Sequence, residues 1–223
     1  MIHFLHVGKA GGTAVRAALA GHRNIALHGH RFRLCDVPAG DKVFFAIREP
    51  VARFVSGFNS RLRKGRPRRN IEWSKGEARA FEIFKSPDAL AVALSDDALR
   101  ESAEHAMRNI THLNMPLSHW FSTDDLQRRR DDVLFVMEQQ KLDTDFRHLC
   151  RLLGLRNVRL PSDPVANHKT PEGYQTSLSE KGRANICQWY RDDIALYREC
   201  ITLRSELLGR REFAQLSEAD NFL

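Results

Sequence analysis

An α/β fold, with a central and mostly parallel sheet flanked by helices in three layers, is predicted by three observations. The apolar run Phe4, Leu5, Val7 passes into glycine-rich sequence and then into alanine-rich sequence holding Ala14, Ala17, Ala18 and Leu19, the order strand, tight loop, helix. Residues 43–47 (VFFAI) and 132–137 (DVLFVM) are the near-continuous β-branched and aromatic runs that a parallel strand buried on both faces needs. Elsewhere the apolar residues recur at helical spacing, as in Phe146, Leu149, Leu152 and Leu153. With 223 residues and 42% hydrophobic content the chain can bury one substantial core, so residues 1–223 read as a single domain.

In chain order, the first helix starts at Thr13 and runs to about residue 20, where Gly21 ends it. Residues 22–27 read as a short strand, and the turn composition at 38–41 (PAGD) resets the chain before the buried strand. Pro50 suits the first turn of the next helix, where its missing N–H costs nothing, and that helix extends toward Leu62. Residues 71–113 read as helix in pieces, with starts at 86–88 (SPD) and 95–97 (SDD). A proline-broken stretch at 114–121 precedes the strand that ends at Glu138. A helix over about 144–153 closes at Gly154, and residues 161–177 form a long polar loop. From Leu178 one long amphipathic helix carries Ile186, Trp189, Tyr190, Ile194 and Tyr197 as a core-facing stripe.

The chemistry starts in the first loop, Gly8-Lys9-Ala10-Gly11-Gly12-Thr13. Glycines there let backbone N–H groups converge ahead of a helix, where unpaired donors and the positive dipole end favour an anion, and Lys9 adds a full charge. The loop is not a Walker A loop, because Lys9 is followed by Ala10, and its glycines do not fall at GxGxxG spacing. A close-packed strand-to-helix corner is the plain alternative. The second motif is KVFFAIREPVARFVSGF, residues 42–58, in which Arg48 stands at the carboxyl end of a strand and Arg53 and Ser56 share a helix face. Arg48 and Ser56 are thereby predicted to point into the crevice outside the strand ends, the usual ligand position in open α/β sheets.

Taken together, GKAGGT and the later R-x-P-x-x-R-x-x-S resemble the two nucleotide-binding motifs of the sulfotransferases that use 3′-phosphoadenosine 5′-phosphosulfate, PAPS. The resemblance implies a P-loop-like fold, with Lys9, Ala10, Gly11, Gly12, Thr13 and Ala14 around the 5′-phosphosulfate and Arg48 and Ser56 on the 3′-phosphate. The family loop commonly reads Pro-Lys, and Gly8 replaces that proline. In relatives a loop near residues 161–177 closes over the nucleotide, which makes Lys169 and Thr170 further cofactor contacts. The segment ALHGHRF, residues 26–32, resembles the uronosyl 2-O-sulfotransferase branch, whose acceptor hydroxyl is deprotonated by a histidine here; this implies His30 as the base and His28 as its neighbour. His119 and Trp120 are candidate acceptor contacts, since sugar rings stack on aromatic faces. Lys9 and His30 are the catalytic candidates, PAPS is the co-substrate, PAP the product, and no metal is called for.

A net charge of +7 and a pI near 9.5 favour anionic partners without choosing among them. The cations Arg61, Arg63, Lys64, Arg66, Arg68 and Arg69 read either as a solvated loop or as a grip on an acidic acceptor; the lack of interleaved aromatics favours glycan over nucleic acid. Cys35, Cys150, Cys187 and Cys200 show no CxxC spacing and read as reduced. No run approaches the roughly 18 apolar residues of a membrane span, and an apolar start that leads straight into the loop does not read as a signal peptide. A bacterial cytoplasmic enzyme is the expectation, with an acceptor hydroxyl on a carbohydrate as its partner. The competing readings are an ATP- and magnesium-dependent phosphotransferase using Thr13 and Glu138, and a nucleic-acid binder working through residues 61–69.

Overall fold

Four strands form a parallel sheet in the order β2-β1-β3-β4, with β1 (Ile2–Leu5), β2 (Ile25–Leu27), β3 (Lys42–Ile47) and β4 (Val133–Glu138). The computed structural model describes residues 1–163 and 171–220, with side chains through residue 209. β3 and β4 read as continuous apolar runs because both faces are covered: Phe44, Phe45, Ile47, Phe135, Val136 and Met137 are all fully buried. The chain leaves β1 toward β2 on one side and returns to β3 on the other. The carboxyl ends of β1 and β3, paired at Leu5 and Phe45, therefore flank the point where the winding reverses.

Helices cover the sheet. α1 (Gly12–Ala18) is shorter than predicted, stopping at Leu19 before the left-handed Gly21. α2 (Pro50–Leu62) begins where Pro50 predicts, with the Glu49 carboxylate accepting from the Ala52 N–H at 2.7 Å. The predicted helical pieces are α3 (Lys75–Ile83), α4 (Pro87–Ala93) and α5 (Arg100–Asn109). Ser74 and Ser86 cap the first two of these. α6 (Thr123–Arg128) precedes β4 and α7 (Leu142–Leu152) follows it. One apolar cluster lies about the sheet, while a second is built by α2 with the α3–α5 helices around Phe54, Phe58, Phe81 and Met107.

Two expectations are corrected. The single terminal helix is two, α8 (Glu180–Trp189) and α9 (Arg191–Asp220), broken at Tyr190. Tyr190 is buried and its hydroxyl donates to the Leu113 carbonyl, so the chain turns about that anchor and carries Asp193 down to Arg53. Residues 61–69 are not solvated throughout. Arg61 is 5% exposed and clamps Glu77 through Nε at 2.6 Å and Nη2 at 2.7 Å, which closes the end of α2 onto α3. Among the described residues no helix is long and apolar enough to cross a membrane.

Candidate active site at the switch point

The β1–α1 loop is shaped by close approaches. Gly11 has φ +87°, and a Cβ there would come within 2.7 Å of Leu142. A Cβ on Gly12 would stand 2.2 Å from the His6 ring, so the helix starts flush against that histidine. Lys9 itself takes the left-handed conformation, φ 65°. Among the described residues the N–H groups of Lys9, Ala10 and Gly11 make no main-chain hydrogen bond. Ala10 and Ala14 are buried, which leaves only their backbone to face a ligand, and Thr13 is half-buried. A Cβ on Gly8 would stand 3.3 Å from Trp120, so the indole packs closely against the backbone there.

Lys9, Arg48 and Arg63 converge here. Burial depresses the Lys9 ammonium from its ordinary 10.5 to about 7, with the Arg63 and Arg48 guanidinium groups adding to the effect. Burial likewise lowers Arg48 and Arg63. Nε of Arg48 and Nη1 of Arg63 are buried without a hydrogen-bond partner among the described residues. Concentrated, desolvated positive charge of this kind is stable only opposite an anion. Ser56, 9% exposed, lies on the α2 face between Arg48 and Arg63 in sequence.

His30 stands beside these cations. Its Nδ1 lies 3.0 Å from the His6 carbonyl oxygen, which can only accept, so Nδ1 carries the proton and Nε2 keeps its lone pair. Trp120 Nε1 donates to the His30 carbonyl at 2.9 Å and fixes the backbone as well. Burial lowers the His30 pKa against the raising effect of the His6 carbonyl, and Arg16, Lys9 and Arg69 push it down further. His6, with its ring centroid 4.0 Å from that of His30, is held neutral by burial first and then by His30 and Arg16, at about 3. A small cavity of about 110 Å³ opens next to His30, lined by Gly8, Arg53, His112, Met115 and Trp120 among others.

The other predicted residues fall elsewhere. His28 turns to a separate chain, with Nε2 2.9 Å from His3 Nδ1, His3 Nε2 3.0 Å from Asp41, and its ring flat on Phe32. Trp120 is 1% exposed, which corrects the reading of it as an open stacking platform: the indole is packed under Gly8. His119 meets the Trp120 ring edge-on, 5.0 Å away. Arg53 is committed to structure, donating to Asp193 at 2.8 Å and to the Met115 carbonyl at 2.9 Å. Glu138, which the phosphotransferase reading assigns to magnesium, accepts from the Tyr197 hydroxyl and pairs with Lys141. Lys169 and Thr170 lie outside the described residues.

Sequence reasoning missed Arg63, which it counted within a run of surface charge, and His112. The latter is held near 3 by burial, with Lys9 and His30 contributing. No local signal marks either residue, although the positive φ of 78° at His112 gives it an unusual backbone in the structure.

Parallel strands flanked by helices, with buried cations at the switch point, define an α/β protein with its candidate site at the strand ends. The profile described as the sulfotransferase family matches residues 40–198, most of the chain, and the protein belongs to that family. It is accordingly an enzyme of sulfate transfer with a P-loop-like fold, in a family whose donor is PAPS. The match takes in Arg48, Ser56 and Arg63 but begins beyond the Lys9 loop. A comparison with curated proteins finds no match.

Proposed function

We propose that this enzyme moves the sulfuryl group of PAPS to a hydroxyl of a carbohydrate acceptor, with His30 as the general base. The observation that carries the reading is the meeting of Lys9 and Arg48, cations that form no ion pair among the described residues, beside a histidine whose Nε2 lone pair is left free. The residues fit the donor: a bisphosphate-sulfate brings the negative charge that the buried guanidinium and ammonium groups lack. Lys9 and the N–H groups of Gly11, Gly12 and Thr13 hold the 5′ end, and Arg48 with Ser56 the 3′-phosphate.

In the reaction the acceptor oxygen forms a bond to sulfur as the bond from sulfur to the 5′-phosphate oxygen breaks in line. The acceptor proton passes to His30 Nε2, and the charge growing on the leaving phosphate falls to Lys9 and the loop. The acceptor class rests on the His-Gly-His resemblance and on charge. Arg16 and Arg69 are exposed, and their charges reach His30, which suits an acceptor bearing a carboxylate or sulfate near the reacting hydroxyl.

His30→Ala tests the base. PAP affinity, measured calorimetrically, is expected to stay near that of the parent while turnover on a glycan panel falls about a hundredfold or more. Equal losses in both would make His30 a structural residue. A titration that requires magnesium for nucleotide binding would favour the phosphotransferase reading instead.

A further inference from the structure

Within the basic run Arg68 and Arg69 are exposed to solvent, and the structure separates the other cations into those with a side-chain acceptor and Arg63, which is buried. Arg61 is spent on Glu77, Lys64 pairs with Glu72, and Arg66 donates to Asn70. Arg63 has no carboxylate among the described residues, yet it is only 7% exposed and its Nη1 is buried without a partner. Among the described residues its guanidinium makes one hydrogen bond, from Nε to the Arg66 carbonyl at 2.6 Å. The Tyr174 ring lies 5.8 Å from the guanidinium carbon, held there as the Asn59 amide donates to the Gln175 carbonyl at 2.8 Å. These contacts orient the side chain without neutralising it. Burying an uncompensated guanidinium beside two other cations is costly, and a structural arginine would be expected to find an acid, as Arg53 and Arg61 do.

We propose that Arg63 is a third cation of the nucleotide site, donating Nη1–H to a phosphate of the same ligand that Lys9 and Arg48 hold. The inference rests on the PAPS reading above and adds to it a residue outside both sequence motifs. It agrees with the electrostatics, since the Arg63 charge, ahead of that of Arg48, depresses Lys9. Tyr174 then has a role as well. By flanking the guanidinium it couples the segment after residue 170 to the occupied site.

The test is calorimetric titration of PAP into the parent, Arg63→Met, Arg63→Lys and Lys9→Ala, with the ligand-free melting temperature of each. Arg63→Met is expected to weaken PAP binding by about tenfold or more, the scale of a charge-assisted hydrogen bond, without lowering the ligand-free melting temperature. Arg63→Lys should recover part of the affinity. PAP affinity within about twofold of the parent in Arg63→Met, with Lys9→Ala still deficient, would overturn the role of Arg63 and leave the nucleotide site standing. A weaker PAP complex accompanied by a lower melting temperature, unrelieved in Arg63→Lys, would make Arg63 structural. A parent that fails to bind PAP would remove the nucleotide reading itself.

Discussion

Lys9→Ala is expected to lower turnover by about a hundredfold to a thousandfold, the usual effect of losing one preorganised donor at a developing oxyanion, and to weaken PAP binding as well. The same change should stabilise the ligand-free protein. Lys9 is desolvated and repelled by Arg48 and Arg63, so the empty site is strained by its charge and alanine relieves it. Turnover assays and thermal melts with and without PAP check both halves; a variant that melts lower and keeps its turnover would contradict them.

The pKa of about 7 gives the site a pH signature of its own. An anion favours the protonated ammonium, so above pH 7 PAP binding must take up a proton, and affinity should fall by up to about tenfold per pH unit. Stability of the ligand-free fold runs the other way. Between about 7 and the ordinary 10.5 the unfolded chain binds more protons than the folded one, so the Lys9 contribution to stability increases as pH rises. Calorimetry in buffers of different ionisation enthalpy detects the proton uptake directly; none at pH 8 would show that Lys9 does not change protonation on binding.

Glu77→Ala is expected to cost about 3–5 kcal/mol, as for other buried ion pairs broken from one side. Glu77 is 1% exposed and accepts from Arg61 twice, from the Ser74 N–H and from the Thr111 N–H. Its loss leaves the Arg61 guanidinium buried without its acid, removes the side-chain half of the α3 capping box and releases the segment that presents His112 and Met115 to the cavity beside His30. Burial alone would raise the Glu77 carboxyl, but Arg61 and the two N–H donors outweigh it and hold it at about 2. The contribution is therefore complete above the ordinary 4.5 and lost as pH falls toward 2. Denaturant midpoints of Glu77→Ala and of a double variant with apolar residues at 61 and 77 measure this. The double variant should recover much of the loss, and a single variant at parental stability would contradict the argument.

Local rules found most of the scaffold. A buried strand, a proline at the first helical position and a serine at a helix start are written in adjacent residues, so β3, α2 and α4 were legible in the sequence. The terminal helix was misread because the Ile186 to Tyr197 stripe keeps helical spacing straight through Tyr190. The break falls at Tyr190, whose hydroxyl is bonded to Leu113, a partner far away in the chain. The basic run was misread for the same reason, because the acid that captures Arg61 belongs to another helix.

Among the site residues, Lys9 and Arg48 could be put in one crevice from sequence because each lies in the loop that follows a strand, and the carboxyl ends of parallel strands lie on one edge whatever else the chain does. Pattern and spacing depend on neighbours, and neighbours are encoded by adjacency. Whether a given charge is neutralised depends instead on side chains brought in from distant segments. The structure alone showed that Trp120 packs against Gly8, that His28 and His30 serve different networks, and that among the described residues Arg53 and Arg61 find acids while Arg63 does not. Desolvation makes that last difference decisive, since an arginine in water needs no partner and a buried one does.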